Sequence, residues 1–218
     1  MSFKKNKYQV IKGAISKELA VFIANYFCLQ KQVYDTCIKA KYFSPYEQII
    51  GIYEIENEQV PHTYSCYSDI AMETLLLKCQ PKMEEICNLK LIPSYSYARI
   101  YKKGDELKRH KDRPSCEIST TLCLGGDHWP IYLDPTGADN VIDEYKNIHK
   151  PNAPKGVEVN LKPGDMLIYS GCELEHWREP FQGKMCGQVF LHYNHADGPF
   201  AKTNLYDKRP LLGIPKTR

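Results

Sequence analysis

Apolar residues recur at helical spacing in two segments of the first ninety residues. Ser16 is a suitable N-cap for a helix that runs to about Phe27, and Asp69 for a second that runs to about Cys87. Pro81 is predicted to bend or divide the second helix. Positions 31–63 show weak periodicity and give no clear prediction. The inward-facing residues are predicted to be Leu19, Phe22, Ile23 and Tyr26 in the first helix and Leu75, Leu76, Cys79, Met83 and Ile86 in the second.

Short alternating segments separated by turns replace this pattern from Leu91 onward. The polar stretch 134–156 is rich in Pro, Gly, Asn and Asp and predicts a long loop, of a length that is often functional or disordered. Helices followed by many strands are typical of a helix-backed β-sandwich or barrel. We therefore expect one α+β, mainly β domain over 1–218, with a supporting part (1–90) and a β core (91–200). Strands are predicted at 92–101, 117–124, 129–133, 157–161, 166–169 and 187–193.

Composition narrows the class of protein only modestly. The chain has 218 residues, of which 43% are hydrophobic and 25% charged, as in an ordinary soluble globular protein. Its longest apolar runs fall far short of the roughly 20 residues that a membrane helix needs. The net charge of +3 is too small to indicate a nucleic-acid partner. We expect neither a membrane nor a nucleic acid as a partner.

The cysteines bear on the cellular compartment. There are nine, an odd number, no Cys-x-x-Cys pair occurs, and several are scattered through apolar segments, where a thiol behaves as a small hydrophobic group. No apolar core follows the charged N-terminus, so a secretory signal is not expected. This pattern predicts a reduced, cytoplasmic protein.

A charged segment beside a strand carries the first candidate site. His110 and Asp112 are two residues apart, and alternate residues of an extended chain point the same way, so both can reach one ion. His176 follows the strand predicted at 166–169. Two histidines and one carboxylate on one face of an octahedron leave three open positions, which suits iron(II) with oxygen and a bidentate co-substrate. For the His-x-Asp pair alone, a surface histidine beside a solvated aspartate is the alternative.

The surroundings of these residues resemble a known family. The run 101–112 (YKKGDELKRHKD) is similar to the segment of prolyl 4-hydroxylases in which a tyrosine and a glycine-containing turn precede His-x-Asp. The run 161–169 (LKPGDMLIY) resembles their Lys-x-Gly turn and the following strand, and then come His176, Gly183-Lys184 and a last strand ending at His192. The resemblance covers about residues 91–195. It implies a double-stranded β-helix (jelly-roll) core and the 2-oxoglutarate/Fe(II)-dependent dioxygenase superfamily.

The resemblance also implies residues for the co-substrate. In that family a basic residue on the last strand pairs with the far carboxylate of 2-oxoglutarate, and Lys184 is the candidate here, with Arg178 as the fallback. A solvated turn lysine is the alternative for Lys184. Tyr101 matches the family tyrosine that bonds the same carboxylate, and an ordinary core tyrosine is its alternative. Thr120 or Thr121 is a further candidate contact on a strand that lines the barrel.

The function implied is an Fe(II)- and 2-oxoglutarate-dependent dioxygenase that hydroxylates a C–H bond with O2 and releases succinate and CO2, with ascorbate as a candidate reductant. A peptidyl proline is the expected target, and a free amino acid or other small metabolite is the enzymatic alternative. Arg113, Trp129 and Trp177 flank the metal positions and are candidate substrate-binding residues, with ordinary packing or exposure as their alternative. A non-catalytic metal-binding jelly roll is the alternative of another class. His192 and His195 are not expected to be ligands, because no carboxylate pattern accompanies them.

Overall fold

The computed structural model describes residues 3–44, 50–53 and 59–215. The ends of the predicted domain and two parts of the stretch 31–63, namely 45–49 and 54–58, lie outside the described residues. The helices are α1 (Phe3–Asn6), α2 (Lys17–Lys39), α3 (Ile70–Cys87) and α4 (Ala201–Asn204).

Both predicted helix starts are confirmed. The Ser16 hydroxyl accepts a hydrogen bond from the Leu19 amide at 3.1 Å, and the Asp69 carboxylate accepts one from the Met72 amide at 3.0 Å. Each side chain thereby satisfies an amide that has no partner in the first turn of its helix. The N-cap signals therefore located α2 and α3 to the residue.

Two details of the helix prediction were wrong. Helix α2 continues well beyond Phe27, and Phe22 is 66% exposed because the buried face is formed by Ala20, Ile23 and Phe27 instead. Of the two effects predicted for Pro81, bending or division, division is wrong, because α3 runs through this residue. The carbonyl that loses its hydrogen bond at Pro81 belongs to Leu77, and Leu77 is 51% exposed, so water can solvate that group.

Thirteen strands form the described β structure, in a large sheet of seven strands, a small sheet of four and a hairpin of two. Each of the six predicted strands has a counterpart, and the shorter ones were not foreseen. In chain order they are β1 (Tyr8–Ile11), β2 (Ile52–Tyr53), β3 (Tyr64–Tyr67), β4 (Leu91–Lys102), β5 (Leu107–His110), β6 (Ile118–Gly126), β7 (Ile131–Leu133), β8 (Val141–Asp143), β9 (Ile148–His149), β10 (Val157–Val159), β11 (Met166–Ser170), β12 (His176–Arg178) and β13 (Met185–His195).

The sheet topology is a jelly roll, as expected from the sequence. The large sheet has the order β1-β11-β6-β13-β4-β3-β2 and the small sheet the order β10-β7-β12-β5, with antiparallel pairing throughout. Strands β4 to β7 alternate between the two sheets, and so do β10 to β13. This alternation encloses a core between the sheets. The predicted α+β, mainly β class is confirmed.

Each long strand of the large sheet divides its side chains between two layers. On β6, Ile118, Leu122 and Leu124 pack with the helices in one apolar cluster, whereas Cys123 packs between the sheets with Leu133 of β7. The helices α2 and α3 thus cover the outer face of the large sheet. The inner face of β6 also carries the polar residues Ser119 and Thr121.

The stretch 134–156 is not a featureless loop. It contains the hairpin of β8 and β9, and buried polar contacts tie it to the small sheet. Arg109 donates to Asp134 and to Glu175, both at 2.7 Å, and Asn140 donates to the same two carboxylates. The prediction of a long loop missed this because the anchoring partners lie elsewhere in the sequence.

All nine cysteines lie in the described part of the chain as free thiols. None of the helices in the described ranges is long and apolar enough to cross a membrane.

Candidate metal centre and its pocket

The structure brings His110, Asp112 and His176 together between the two sheets. His110 and His176 are opposed residues on β5 and β12, and their ring centroids are 4.3 Å apart. The two Nε2 atoms lie 3.6 and 3.5 Å from the same carboxylate oxygen, Asp112 Oδ1. Three donors that share one small space in this way can close around a single ion, and two nitrogens with one oxygen suit iron(II).

The backbone fixes the orientation of both imidazole rings. His110 Nδ1 lies 2.7 Å from the Lys108 carbonyl oxygen, and His176 Nδ1 lies 3.0 Å from the Leu174 carbonyl oxygen. A carbonyl only accepts, so each Nδ1 carries the hydrogen and each Nε2 presents a lone pair. This tautomer is the one that a metal-binding histidine requires.

Burial and charge act against each other at this centre. Burial raises the pKa of the Asp112 carboxyl, but His176 and His110 outweigh it and hold that pKa well below its ordinary value. Burial lowers the pKa of His110, whereas the Asp112 carboxylate raises it, and the net effect is a raised pKa. The Asp112 carboxyl group is therefore ionised and could balance the charge of a cation.

The second oxygen of Asp112 is held by the large sheet. Ser119 on β6 donates its hydroxyl to Asp112 Oδ2 at 2.9 Å, and His192 on β13 places Nδ1 2.9 Å from the same hydroxyl. Gly171 packs so closely that an added Cβ would collide with Asp112 Oδ2 and with the Cys116 carbonyl oxygen. Burial lowers the pKa of His192 to about 4, so this ring is neutral.

A cavity of about 290 Å³ opens at the candidate metal centre. Aromatic side chains form most of its wall, and two arginines, Arg99 and Arg113, contribute positive charge. Such a cavity suits one small anion together with one small reacting group. The other lining residues are Gln59, Tyr67, Tyr95, Tyr97, Tyr101, Leu107, His110, Asp112, Tyr169, His176, Phe190 and His192.

Lys184 does not reach this cavity. It is an exposed residue in the turn before β13, and its amide donates to Asp127 at 2.6 Å. The barrel interior at that level is filled by Tyr101, Trp129 and Phe181, which pack in one apolar cluster and keep the lysine outside. The sequence assignment of Lys184 to the co-substrate is therefore not supported by its position.

Arg178, the fallback, lies inside the barrel. It is 1% exposed and follows His176 on the same face of β12. It donates to the Trp129 carbonyl oxygen at 2.5 Å and to Thr121 Oγ1 at 3.2 Å, and its Nε has no acceptor among the described residues. A buried cation whose hydrogen bonds go only to uncharged oxygens is costly unless an anion joins it.

The remaining co-substrate candidates divide between the two layers. Tyr101 is buried and lines the cavity. Thr121 points inward and binds both Arg178 and Gln188, whereas Thr120 accepts the Leu191 amide and belongs to the face that packs on the helices. Of the two threonines, therefore, only Thr121 faces the interior of the barrel.

Of the three substrate candidates, only Arg113 lines the cavity. Trp129 is 7% exposed, and its ring packs against Tyr101 and Phe181, so it is a core residue. Trp177 points to the outer face of the small sheet, where it stacks on Tyr132 and lines a second cavity of about 520 Å³. Strand alternation and packing therefore place neither tryptophan at the wall of this cavity.

Sequence reasoning missed Arg99, Ser119, Gly171 and His192. Alternation along β4 and β13 was a usable signal, because Arg99 shares a face with Tyr101, and His192 shares one with Phe190. Dismissing His192 as a metal ligand left its contact with Ser119 unnoticed. No local signal marks Ser119 or Gly171, whose partners come from other strands.

No family model matches the sequence, and no curated protein matches it. Three solved structures are similar to this chain over most of its length. The non-haem α-ketoglutarate-dependent carbocyclase SnoK of nogalamycin biosynthesis has a TM-score of 0.63 at 12% identity and matches 89% of this chain and 82% of that chain. HygX from Streptomyces hygroscopicus, with nickel, 2-oxoglutarate and hygromycin B bound, has 0.61 at 12%, over 89% and 85%. A Pseudomonas putida prolyl-4-hydroxylase has 0.52 at 13%, over 88% and 95%.

Proposed function

We propose that this chain, whose fold is that of the 2-oxoglutarate-dependent non-haem oxygenases, is an Fe(II)- and 2-oxoglutarate-dependent dioxygenase that hydroxylates a C–H bond. The observation that carries the proposal is the convergence of His110, Asp112 and His176 at the cavity, with both Nε2 atoms within 3.6 Å of one carboxylate oxygen. All three residues line the cavity, so an ion held by them would keep other coordination positions open to it. A non-catalytic module has no need of such open positions.

In this reaction the protein's residues would bind the metal and shield the reacting group from water. His110, Asp112 and His176 would hold the iron. Iron held there would supply the oxidative chemistry, in which O2 and 2-oxoglutarate give succinate, CO2 and the hydroxylated product. The aromatic wall keeps bulk water from the reacting group. Ascorbate stays a candidate external reductant.

The donors present fit the dicarboxylate co-substrate. The interior positions of β13 hold Cys186, Gln188, Phe190 and His192, so the last strand offers no cation where the prolyl 4-hydroxylase pattern has one. Arg178 is not one of the residues that line the cavity, but its side chain is buried in the same interior, on the facing sheet, and contacts Thr121 there. We assign the far carboxylate of 2-oxoglutarate to Arg178, because the anion would satisfy the buried charge, with Tyr101 as a neighbouring wall of the site. Arg99 is the alternative cation.

A peptidyl proline is our first candidate for the hydroxylated group. A cavity of about 290 Å³ that also takes 2-oxoglutarate has space for little more than one ring, and tyrosine faces suit the apolar ring of proline. The likeness to a prolyl-4-hydroxylase covers 95% of that chain. A small metabolite is the second candidate, because HygX, which has a higher TM-score, carries hygromycin B.

The direct test is succinate formation from 2-oxoglutarate, with and without Fe(II), against proline-containing peptides, free amino acids and small metabolites. Peptide-stimulated turnover with a mass gain of one oxygen in the peptide is the expected result. Iron-dependent turnover that only small molecules stimulate would replace the peptide by a metabolite. An iron-loaded protein that never forms succinate would contradict the dioxygenase function.

Matched histidine variants connect that activity to the site. His176→Ala is expected to abolish iron binding and succinate formation, because two donors do not hold the ion in place of three. His149→Ala alters an exposed histidine on β9 and should leave both unchanged. Equal iron binding by the two variants, measured at equilibrium, would remove His176 from the site.

A further inference from the structure

The two oxygens of the Asp112 carboxylate have different surroundings. Oδ1 faces His110 and His176, where the ion would sit. Oδ2 faces the large sheet and accepts the Ser119 hydroxyl at 2.9 Å. A carboxylate can bind an ion through one oxygen or through both, and the choice changes how many positions remain for other ligands. The engagement of Oδ2 therefore bears on the chemistry of the centre.

The Ser119 hydroxyl has one hydrogen to donate and three polar neighbours. Its Oγ lies 2.9 Å from Asp112 Oδ2, from the Cys116 carbonyl oxygen and from His192 Nδ1. The hydrogen bond to a charged carboxylate is stronger than one to a neutral carbonyl, so the hydrogen belongs on the Asp112 side. His192 Nδ1 must then carry its own hydrogen and donate it to Ser119. The three side chains form one directed chain, from His192 through Ser119 to Asp112.

The packing around His192, Ser119 and Asp112 leaves these three side chains little freedom to move. His192 is 5% exposed, and its ring lies 4.5 Å from the Tyr95 ring. Ser119 and His192 are opposed residues on β6 and β13. On the other side, Gly171 presents only backbone to Asp112, and its carbonyl oxygen accepts the Asp112 amide at 2.9 Å. The carboxylate is thus held between a backbone wall and a hydroxyl.

We propose that Ser119, oriented by His192, is a positioning residue that keeps Asp112 bound to the metal through Oδ1 alone. This rests on the proposed function, because it presupposes a metal at the three ligands. With Oδ2 occupied, the carboxylate takes one coordination position and leaves three for a chelating co-substrate and oxygen. Without the hydroxyl, Asp112 can turn and compete with 2-oxoglutarate for the same ion.

The test measures metal and co-substrate binding in the absence of oxygen. Ser119→Ala is compared with Ser96→Ala, which removes a buried hydroxyl of β4 that has no hydrogen-bond partner among the described residues. Fe(II) affinity is measured first, and the charge-transfer absorption of the Fe(II)–2-oxoglutarate chelate second. Ser119→Ala is expected to weaken formation of the Fe(II)–2-oxoglutarate chelate 10- to 100-fold while the variant stays folded, because a second Asp112 oxygen on the ion would take a position that the chelate needs. Ser96→Ala should match the unmodified protein.

A double-mutant cycle tests the role of His192. His192→Phe keeps an aromatic ring beside Tyr95 but cannot donate to Ser119. If His192 acts through Ser119, His192→Phe produces part of the same loss, and the double variant is no weaker than Ser119→Ala alone. Additive losses would show that His192 does not act through Ser119 and would overturn that part of the proposal.

The remaining outcomes separate this inference from the proposed function. If the unmodified protein binds Fe(II) and 2-oxoglutarate but Ser119→Ala gives the same affinity and absorption, Ser119 is not a positioning residue and the dioxygenase function stands. If the unmodified protein binds no Fe(II), the proposed function fails first, and this inference fails with it.

Discussion

Arg178 and Lys184 differ in burial, and this difference favours Arg178 as the partner of the co-substrate carboxylate. The Arg178 guanidinium is buried between the sheets, where its hydrogen bonds reach the Trp129 carbonyl oxygen and Thr121. Lys184 has the opposite surroundings, exposed in a turn. Both cations follow His176 closely in the sequence, so their spacing from His176 does not show which of them binds the co-substrate. Burial separates them, because a desolvated charge interacts with an anion far more strongly than a solvated one.

Exchanging Arg178 for glutamine tests this assignment. Arg178→Gln should raise the 2-oxoglutarate concentration needed for half-maximal succinate formation about 10- to 100-fold, the worth of a charge-assisted hydrogen bond. Lys184→Ala is the control, with no change expected. Direct titration of 2-oxoglutarate into the metal-loaded variants measures the same quantity. A larger loss in Arg99→Gln than in Arg178→Gln would transfer the role to Arg99.

The chain after β13 is the element that shapes the mouth of the cavity. Tyr206, Asp207 and Lys208 have φ values of 50°, 53° and 67°, an unfavourable left-handed run of three non-glycine residues. The buried Asp207 carboxylate holds it, because this group accepts hydrogen bonds from two Arg113 nitrogens at 2.9 Å and from the Tyr67 hydroxyl at 2.7 Å. Since Arg113 and Tyr67 line the cavity, this segment sets part of its wall.

Variants of Asp207 separate its backbone role from its side-chain role. Asp207→Ala should lower the free energy of unfolding by about 2 kcal/mol, because Tyr67 and Arg113 lose their charged acceptor. Asp207→Asn should lose less, because asparagine tolerates the left-handed backbone and keeps an acceptor oxygen. Chemical denaturation measures both, with the exposed Lys202→Ala as the control. Unchanged stability in Asp207→Ala would mean that the segment is not held by this carboxylate.

At the scale of the whole molecule, the candidate centre joins the two sheets. His110 and His176 belong to the small sheet, while Ser119 and His192 belong to the large sheet. Asp112 follows β5 and contacts both groups. The centre therefore exists only when the sheets are packed, and its buried groups contribute to the stability of the fold as well as to its chemistry.

The pH dependence of stability reports on one of these buried groups. Burial lowers the pKa of His192 from 6.5 to about 4, so the unfolded chain binds one more proton than the folded chain between these values. The free energy of unfolding should therefore fall as the pH drops from about 6.5 to about 4, by about 3 kcal/mol in the metal-free protein. The stabilisation from Asp112 and Asp207, whose pKa values are lowered, is lost at still lower pH.

The control for this prediction is His192→Phe, which lacks the titrating group. Urea unfolding of both proteins at several pH values, with a chelator present, gives the comparison. The variant should show a flatter dependence between pH 6.5 and 4 and the same loss below it. Parallel curves over the upper range would show that His192 is not held neutral in the folded protein.

The sequence by itself determined the features that depend on near neighbours. Ser16 and Asp69 marked the helix starts, since a cap acts within three residues, and alternation marked the long strands β4, β6 and β13. The ordered motif around His110 and His176 indicated the candidate ligand set and, through the family resemblance, the fold class.

Only the tertiary structure decided which of these residues meet. It turned Trp177 outward, left Lys184 in solvent, brought Arg178 inside, and joined His192 to Asp112 through Ser119. The physical reason is that strand alternation fixes the face on which a side chain lies but not its neighbour across the sheets. That neighbour depends on strand order and register, which long-range packing sets for the chain as a whole.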